Sequence, residues 1–103
     1  MRPAHFRLSD IIDMSGKLRA ELEGVSLGEL ENDWKRQLLV ERGLEIISEA
    51  SRNIDPGIKE RHRTIPWRNI ADIGNVLRHA YHKIEPSLTW QIVKDHLPDL
   101  QRV

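Results

Sequence analysis

Residues 65–84, I-P-W-R-N-I-A-D-I-G-N-V-L-R-H-A-Y-H-K-I, read as one amphipathic helix. Ile70, Ile73, Val76, Leu77 and Ala80 recur at helical spacing and make an apolar side, bordered by Trp67, Gly74 and Tyr81. Arg68, Asp72, Asn75, Arg78, His79 and His82 fall on the polar side. Pro66 suits the first helical position, where its fixed φ is helical and its missing amide would have no intrahelical acceptor. The spacing predicts a helix from Pro66 to about Lys83.

The same period extends in both directions. Downstream, Pro86 opens a last helix with Trp90, Val93, Leu97 and Leu100 as its buried line, kinked or ended by Pro98. Upstream, Asp55-Pro56-Gly57 is a turn that can open a short helix. Residues 34–53 contain no proline and predict the longest helix, with Leu39, Val40, Gly43, Leu44, Ile46, Ile47 and Ala50 on one broad face. Gly43 in the middle of that face predicts a close approach by another helix, since glycine costs helical stability. Asp33 is placed to cap this helix. Ser26 and Glu29 have capping-box spacing for a short helix before it. Leu8, Ile11, Ile12, Ser15, Leu18 and Leu22 mark a first helix over about 7–23, ended by Gly24. The chain therefore reads as all-α, with no repeats, no low-complexity tract and no pair of strands.

Composition narrows the class further. The 103 residues are enough for one domain over 1–103 and one core. No cysteine means no disulfide scaffold and no thiolate chemistry. The start Met1-Arg2-Pro3-Ala4-His5 has no apolar run of signal-peptide type. No stretch approaches the roughly 20 apolar residues of a membrane span. With 31% charged residues and a mean hydropathy of −0.53, the expectation is a soluble, cytoplasmic protein. Net charge is zero, which disfavours bulk electrostatic coating of nucleic acid. The zero hides an asymmetry: residues 1–55 carry 8 Lys/Arg against 11 Asp/Glu, and residues 56–103 carry 8 against 5. An anionic ligand would meet the second half.

Two surfaces could carry chemistry. On the long helix Glu41, Glu45, Ser48, Glu49 and Arg52 share a polar stripe, where like charges four apart repel unless basic groups from elsewhere face them. On the helix from Pro66, Asn75 and His79 are adjacent, with Asp72 seven before His79 and Arg68 and Arg78 flanking. Histidine exchanges protons near neutral pH, and arginine binds phosphate and stabilises charge developing on it. His79 and His82 could grip a metal, but further ligands are distant, so neither a metal nor a cofactor is expected. No glycine-rich phosphate loop, H-E-x-x-H or G-x-S-x-G occurs, and no helix is basic enough to read duplex DNA.

The stretch 65–84, followed by W-Q-I-V-K-D-H-L-P-D-L (90–100), resembles the C-terminal half of HepT-like proteins. These are minimal members of the HEPN (higher eukaryote and prokaryote nucleotide-binding) superfamily. L-E-I-I-S-E-A-S (44–51) resembles the family's I-G-E-A helix, with Ser48 in place of the glycine. The resemblance spans about 8–103. It implies an antiparallel helical bundle that homodimerises around a shared cleft. It further implies the toxin of a toxin–antitoxin pair, an endoribonuclease working without metal. A nucleotidyltransferase of the MNT type would be the antitoxin, silencing the toxin in some systems by AMPylation of the motif tyrosine.

Carried over position by position, His79, Arg78 and Asn75 become the catalytic candidates and Tyr81 the nucleotidylation acceptor. Arg68, His82 and Lys83 are expected to bind RNA phosphates. One departure stands out: the family's R-x4-H pattern places an arginine where this chain has Gly74, and Arg78 is the nearest cation. On a regular helix Arg78 and His79 diverge by about 100°, so the reading pairs Arg78 of one subunit with His79 of the other. Glu45 and Glu49 are expected to approach that cleft. The alternative is a catalytically silent nucleotide- or protein-binding HEPN module, which Gly74 favours.

Overall fold

The computed structural model describes residues 8–79 and 84–103. They form six helices: α1 (Leu8–Leu22), α2 (Leu27–Glu31), α3 (Trp34–Arg52), α4 (Pro56–Arg61), α5 (Trp67–Arg78) and α6 (Pro86–Gln101).

Local chemistry sets most of the ends. Gly24 takes a φ of 74° after α1, the left-handed turn that stops a helix. Ser26 Oγ accepts from the Glu29 amide at 3.1 Å while Glu29 Oε1 accepts from the Ser26 amide at 2.9 Å, closing the capping box of α2. The bond from the Ser26 backbone holds the Glu29 carboxyl below its ordinary range. Asp33 Oδ1 accepts from the Arg36 amide at 3.1 Å and starts α3. Pro98 does not end α6, which continues to Gln101.

The long helices pack in the order α6, α1, α3, α5, with α2 against α3 and α6. Glu21 meets Arg36 and Leu18 meets Gly43, so α1 and α3 run in opposite directions. Ile11, Leu18, Leu22, Leu30, Val40, Leu44, Ile47, Ile70, Val93, Leu97 and Leu100 form the core. Two residues expected on apolar faces are exposed instead, Leu39 on α3 and Val76 on α5. For Val76 the reason is that α5 packs chiefly against α3, so only a narrow stripe of α5 is covered. Trp90 is only half-buried, its ring carrying Lys94 Nζ at 4.6 Å.

Gly43 is the close approach its position foretold: a Cβ there would stand 2.6 Å from Leu18 Cδ2 and 2.8 Å from Cδ1. Leu18 is 1% exposed and has nowhere to go. Gly43→Ala should therefore destabilise by about 1–3 kcal/mol through overpacking, despite the ~1 kcal/mol that alanine gains in helix propensity. A urea melt reads the difference. Ser15 predicts the opposite sign. Its hydroxyl is fully buried on α1 and finds no partner among the described residues. Ser15→Ala removes that unpaired group and should stabilise by up to ~1 kcal/mol, seen as a higher Tm.

Candidate active site at the seam of α3 and α5

Ser48 stitches the two helices together. Its hydroxyl donates to the Ala71 carbonyl at 2.9 Å and accepts from the Gly74 amide at 2.9 Å. Arg52, one turn further along α3, adds Nε at 3.2 Å and Nη2 at 2.9 Å to the same carbonyl. Ser48 therefore meets Gly74 while Arg52 meets Ala71, which makes α3 and α5 antiparallel. The expectation that Ser48 lies on a solvated polar stripe is corrected: it is 1% exposed. Helical spacing contained the signal, since Val40, Leu44, Ser48 and Ser51 continue one buried line.

Gly74 is glycine for a visible reason. A Cβ there would stand 3.0 Å from Ser48 Oγ and 3.2 Å from Arg78 Nη1. Ser48 and Gly74, read as two separate departures from the family pattern, thus touch each other. Arg78 folds back along α5 over Gly74, and its Nη2 donates to Asn75 Oδ1. Asn75 Nδ2 in turn donates to Asp72 Oδ1 at 3.2 Å. Asp72, Asn75 and Arg78 are a single line of side chains at three-residue steps.

His79 closes the helix as its C-cap, its amide donating to the Asn75 carbonyl at 3.0 Å. The imidazole is exposed and makes no hydrogen bond or ion pair among the described residues. The Asn75 side chain thus bonds Arg78 and Asp72, and not the adjacent His79. The helix predicted to reach about Lys83 is described to Arg78. Tyr81, His82 and Lys83 lie outside the described residues.

Arg68 is exposed and likewise unpaired among the described residues. With Arg52, Asn69, Ala71, Asp72 and Asn75 it lines an open groove of ≈ 450 Å³ leading toward Arg78. Arg52 is a groove cation that sequence reasoning placed on the stripe but did not connect to α5. Glu45 does not take its ion pair from α5; it pairs with Arg42 of its own helix at 3.3 Å. Beside it, burial first and the Glu45 charge second push the Glu41 carboxyl above its ordinary range. Among the described residues no three His, Asp or Glu side chains gather to hold a metal ion.

A family model described as ribonuclease HepT-like matches residues 11–103. The chain belongs to the HepT-like ribonuclease family. A protein of Thermococcus cleftensis named a probable ribonuclease HepT is 44% identical over 69 residues, which are 67% of this chain and 63% of that protein. Two proteins named as candidate RNases match over 95 residues. That of Methanocaldococcus jannaschii is 32% identical, covering 92% of this chain and 87% of its own. That of Caldanaerobacter subterraneus is 27% identical, covering 92% and 85%. No solved structure matches the chain significantly. Within the HepT-like frame, the end of α5 is the place where a fixed guanidinium and an exposed imidazole stand on consecutive residues. No described helix is long and apolar enough to cross a membrane.

Proposed function

We propose that this HepT-like chain is a metal-independent endoribonuclease acting through Arg78, His79 and Asn75. The observation that carries the reading is the Arg78 guanidinium fastened by Asn75 over Gly74, immediately beside the unengaged imidazole of His79. The ribose 2′-hydroxyl attacks the adjacent phosphorus and the 5′-oxygen leaves, giving a 2′,3′-cyclic phosphate and a free 5′-hydroxyl. His79 moves the proton. Arg78 stabilises the negative charge on the five-coordinate phosphorus. Asn75 holds the guanidinium in place. The RNA backbone runs along the groove of Arg52 and Arg68, with His82 and Lys83 adding charge beyond it.

The site is completed by a second subunit. Consecutive residues at the end of a helix diverge, so one chain does not present Arg78 and His79 to the same phosphate. The exposed apolar side chains of α3 support a homodimer: Trp34 is 65% and Leu38 56% exposed, on the same stripe as Glu41 and Glu45.

In the cell the chain acts as the toxin of a toxin–antitoxin pair, located in the cytoplasm. An MNT-type nucleotidyltransferase neutralises it, through AMPylation of Tyr81. The second reading, a silent nucleotide- or protein-binding HEPN module, is favoured by one fact, the glycine at position 74 where the family's R-x4-H pattern has an arginine.

A single-stranded RNA and the same strand carrying one 2′-deoxynucleotide at the cleavage position separate the two. The ribonuclease reading expects cyclic phosphate ends from the first and no cut at the substituted position. Equal cutting of both rules out 2′-hydroxyl attack, and cutting of neither leaves the silent module. Intact mass of protein co-expressed with the nucleotidyltransferase tests the modification: one added AMP is expected on wild type and none on Tyr81→Phe.

A further inference from the structure

We propose that Ser48 is a positioning residue for the Arg78 guanidinium and that Gly74 is the seat on which that guanidinium rests. The proposal rests on the ribonuclease reading for its kinetic test only; the seat itself is a matter of geometry.

Ser48 Oγ and Arg78 Nη1 flank one point in space, the position of the absent Gly74 Cβ, at 3.0 and 3.2 Å. Ser48 cannot give way there. Its hydroxyl is committed in both directions, to the Ala71 carbonyl and the Gly74 amide, and its side chain is buried. Those two bonds fix the height of α5 against α3. Arg52 fastens the same carbonyl from the next turn. The bare Cα of Gly74 is thus held facing α3, and the guanidinium of Arg78 lies back over it. Asn75 Oδ1 secures one edge through Nη2, and Asp72 secures Asn75. A long, flexible cation is thereby given a single place by a hydroxyl two helices away in sequence. Its remaining edge stays available to a phosphate, because a planar guanidinium can bond in two directions at once.

The consequence separates stability from activity. In Gly74→Ala the new Cβ meets a fixed hydroxyl on one side and the flexible end of an arginine on the other. The arginine moves. The gain in helix propensity from alanine offsets the crowding against Ser48 Oγ, and the cation is displaced. The shift asked of it is a few tenths of an ångström, and since misplacement of about 1 Å costs up to ~100-fold in rate, a loss of up to about 10-fold follows. Ser48→Ala keeps the packing volume and removes both bonds to α5, loosening the seat from below.

The experiment compares wild type, Gly74→Ala, Ser48→Ala and Asn75→Ala on a single-stranded RNA, with Tm and the water-exchange rate of the Arg78 Nη2 protons measured by NMR. For Gly74→Ala the expected result is a Tm close to that of wild type, kcat reduced by up to about 10-fold, and KM changed little. The Arg78 Nη2 protons, bonded to Asn75 Oδ1, should exchange slowly in wild type and quickly in all three variants. If Gly74→Ala cleaves at the wild-type kcat, the seat has no role and the proposal is overturned. It is equally overturned if Ser48→Ala lowers Tm while kcat and the Arg78 signal stay unchanged, because Ser48 is then a packing residue alone. Wild type that cuts no RNA would remove the ribonuclease reading, and the exchange rates would still decide the seat: fast exchange in wild type overturns it, slow exchange lost in the variants supports it.

Discussion

His79→Ala is expected to lower the rate of RNA cleavage ~10²- to 10⁴-fold, the loss typical of removing a general acid–base. The fold should survive the change. The imidazole is exposed and makes no hydrogen bond or ion pair among the described residues, and the capping bond of residue 79 is made by its backbone amide. Tm should therefore stay close to that of wild type, and RNA binding should weaken little, because the phosphate-facing cations are elsewhere. A variant that melts like wild type, binds RNA like wild type and does not cut it would assign His79 to chemistry. A variant that cuts at the wild-type rate would remove His79 from the mechanism.

Arg78→Ala is expected to cost ~10²- to 10³-fold, as when one preorganised donor to a developing negative charge is removed. Arg78→Lys should restore little of it. The ammonium is a point charge that cannot bond Asn75 with one edge and a phosphate with the other. Two inactive variants also test the shared site. In a mixed dimer of His79→Ala and Arg78→Ala subunits, one cleft contains an intact histidine from one chain and an intact arginine from the other. Mixing should recover up to about a quarter of wild-type activity, since half the dimers are mixed and each holds one intact cleft. No recovery on mixing, with dimers confirmed by sedimentation, would place both groups in the same subunit's site.

The helices were legible because their ends are written in local chemistry: Ser26 and Glu29, Asp33, Gly24 and Pro86 all act within a turn of themselves. Gly43 was legible too, as a glycine in the middle of an apolar face has few reasons to be there other than a neighbour's proximity. Pro98 misled, because a proline near a helix end removes a single late hydrogen bond, and α6 reaches Gln101 past it. Leu39 and Val76 misled for another reason. A hydrophobic stripe says which side of a helix is apolar, whereas the width actually covered depends on where the neighbouring helices sit.

The site was legible as a set of residues and not as a set of bonds. Asn75, Arg78 and His79 are close in sequence, so their adjacency followed from spacing. The partners chosen among them did not. Asn75 could have faced the imidazole or the guanidinium, and it took Arg78. The role of Ser48 was hidden most completely, since it depends on the antiparallel register of two helices 26 residues apart at the point of contact. Register between helices is set by packing across the whole seam, and no local pattern records it.

The measurement that bears most directly on the central claim is the cleavage rate of one defined single-stranded RNA in excess EDTA. Wild type, His79→Ala and Arg78→Ala are compared at equal, confirmed folding. Wild type should retain its full rate under chelation and each variant should lose at least ~100-fold. Cleavage that EDTA abolishes, or that His79→Ala performs as well as wild type, would contradict that claim.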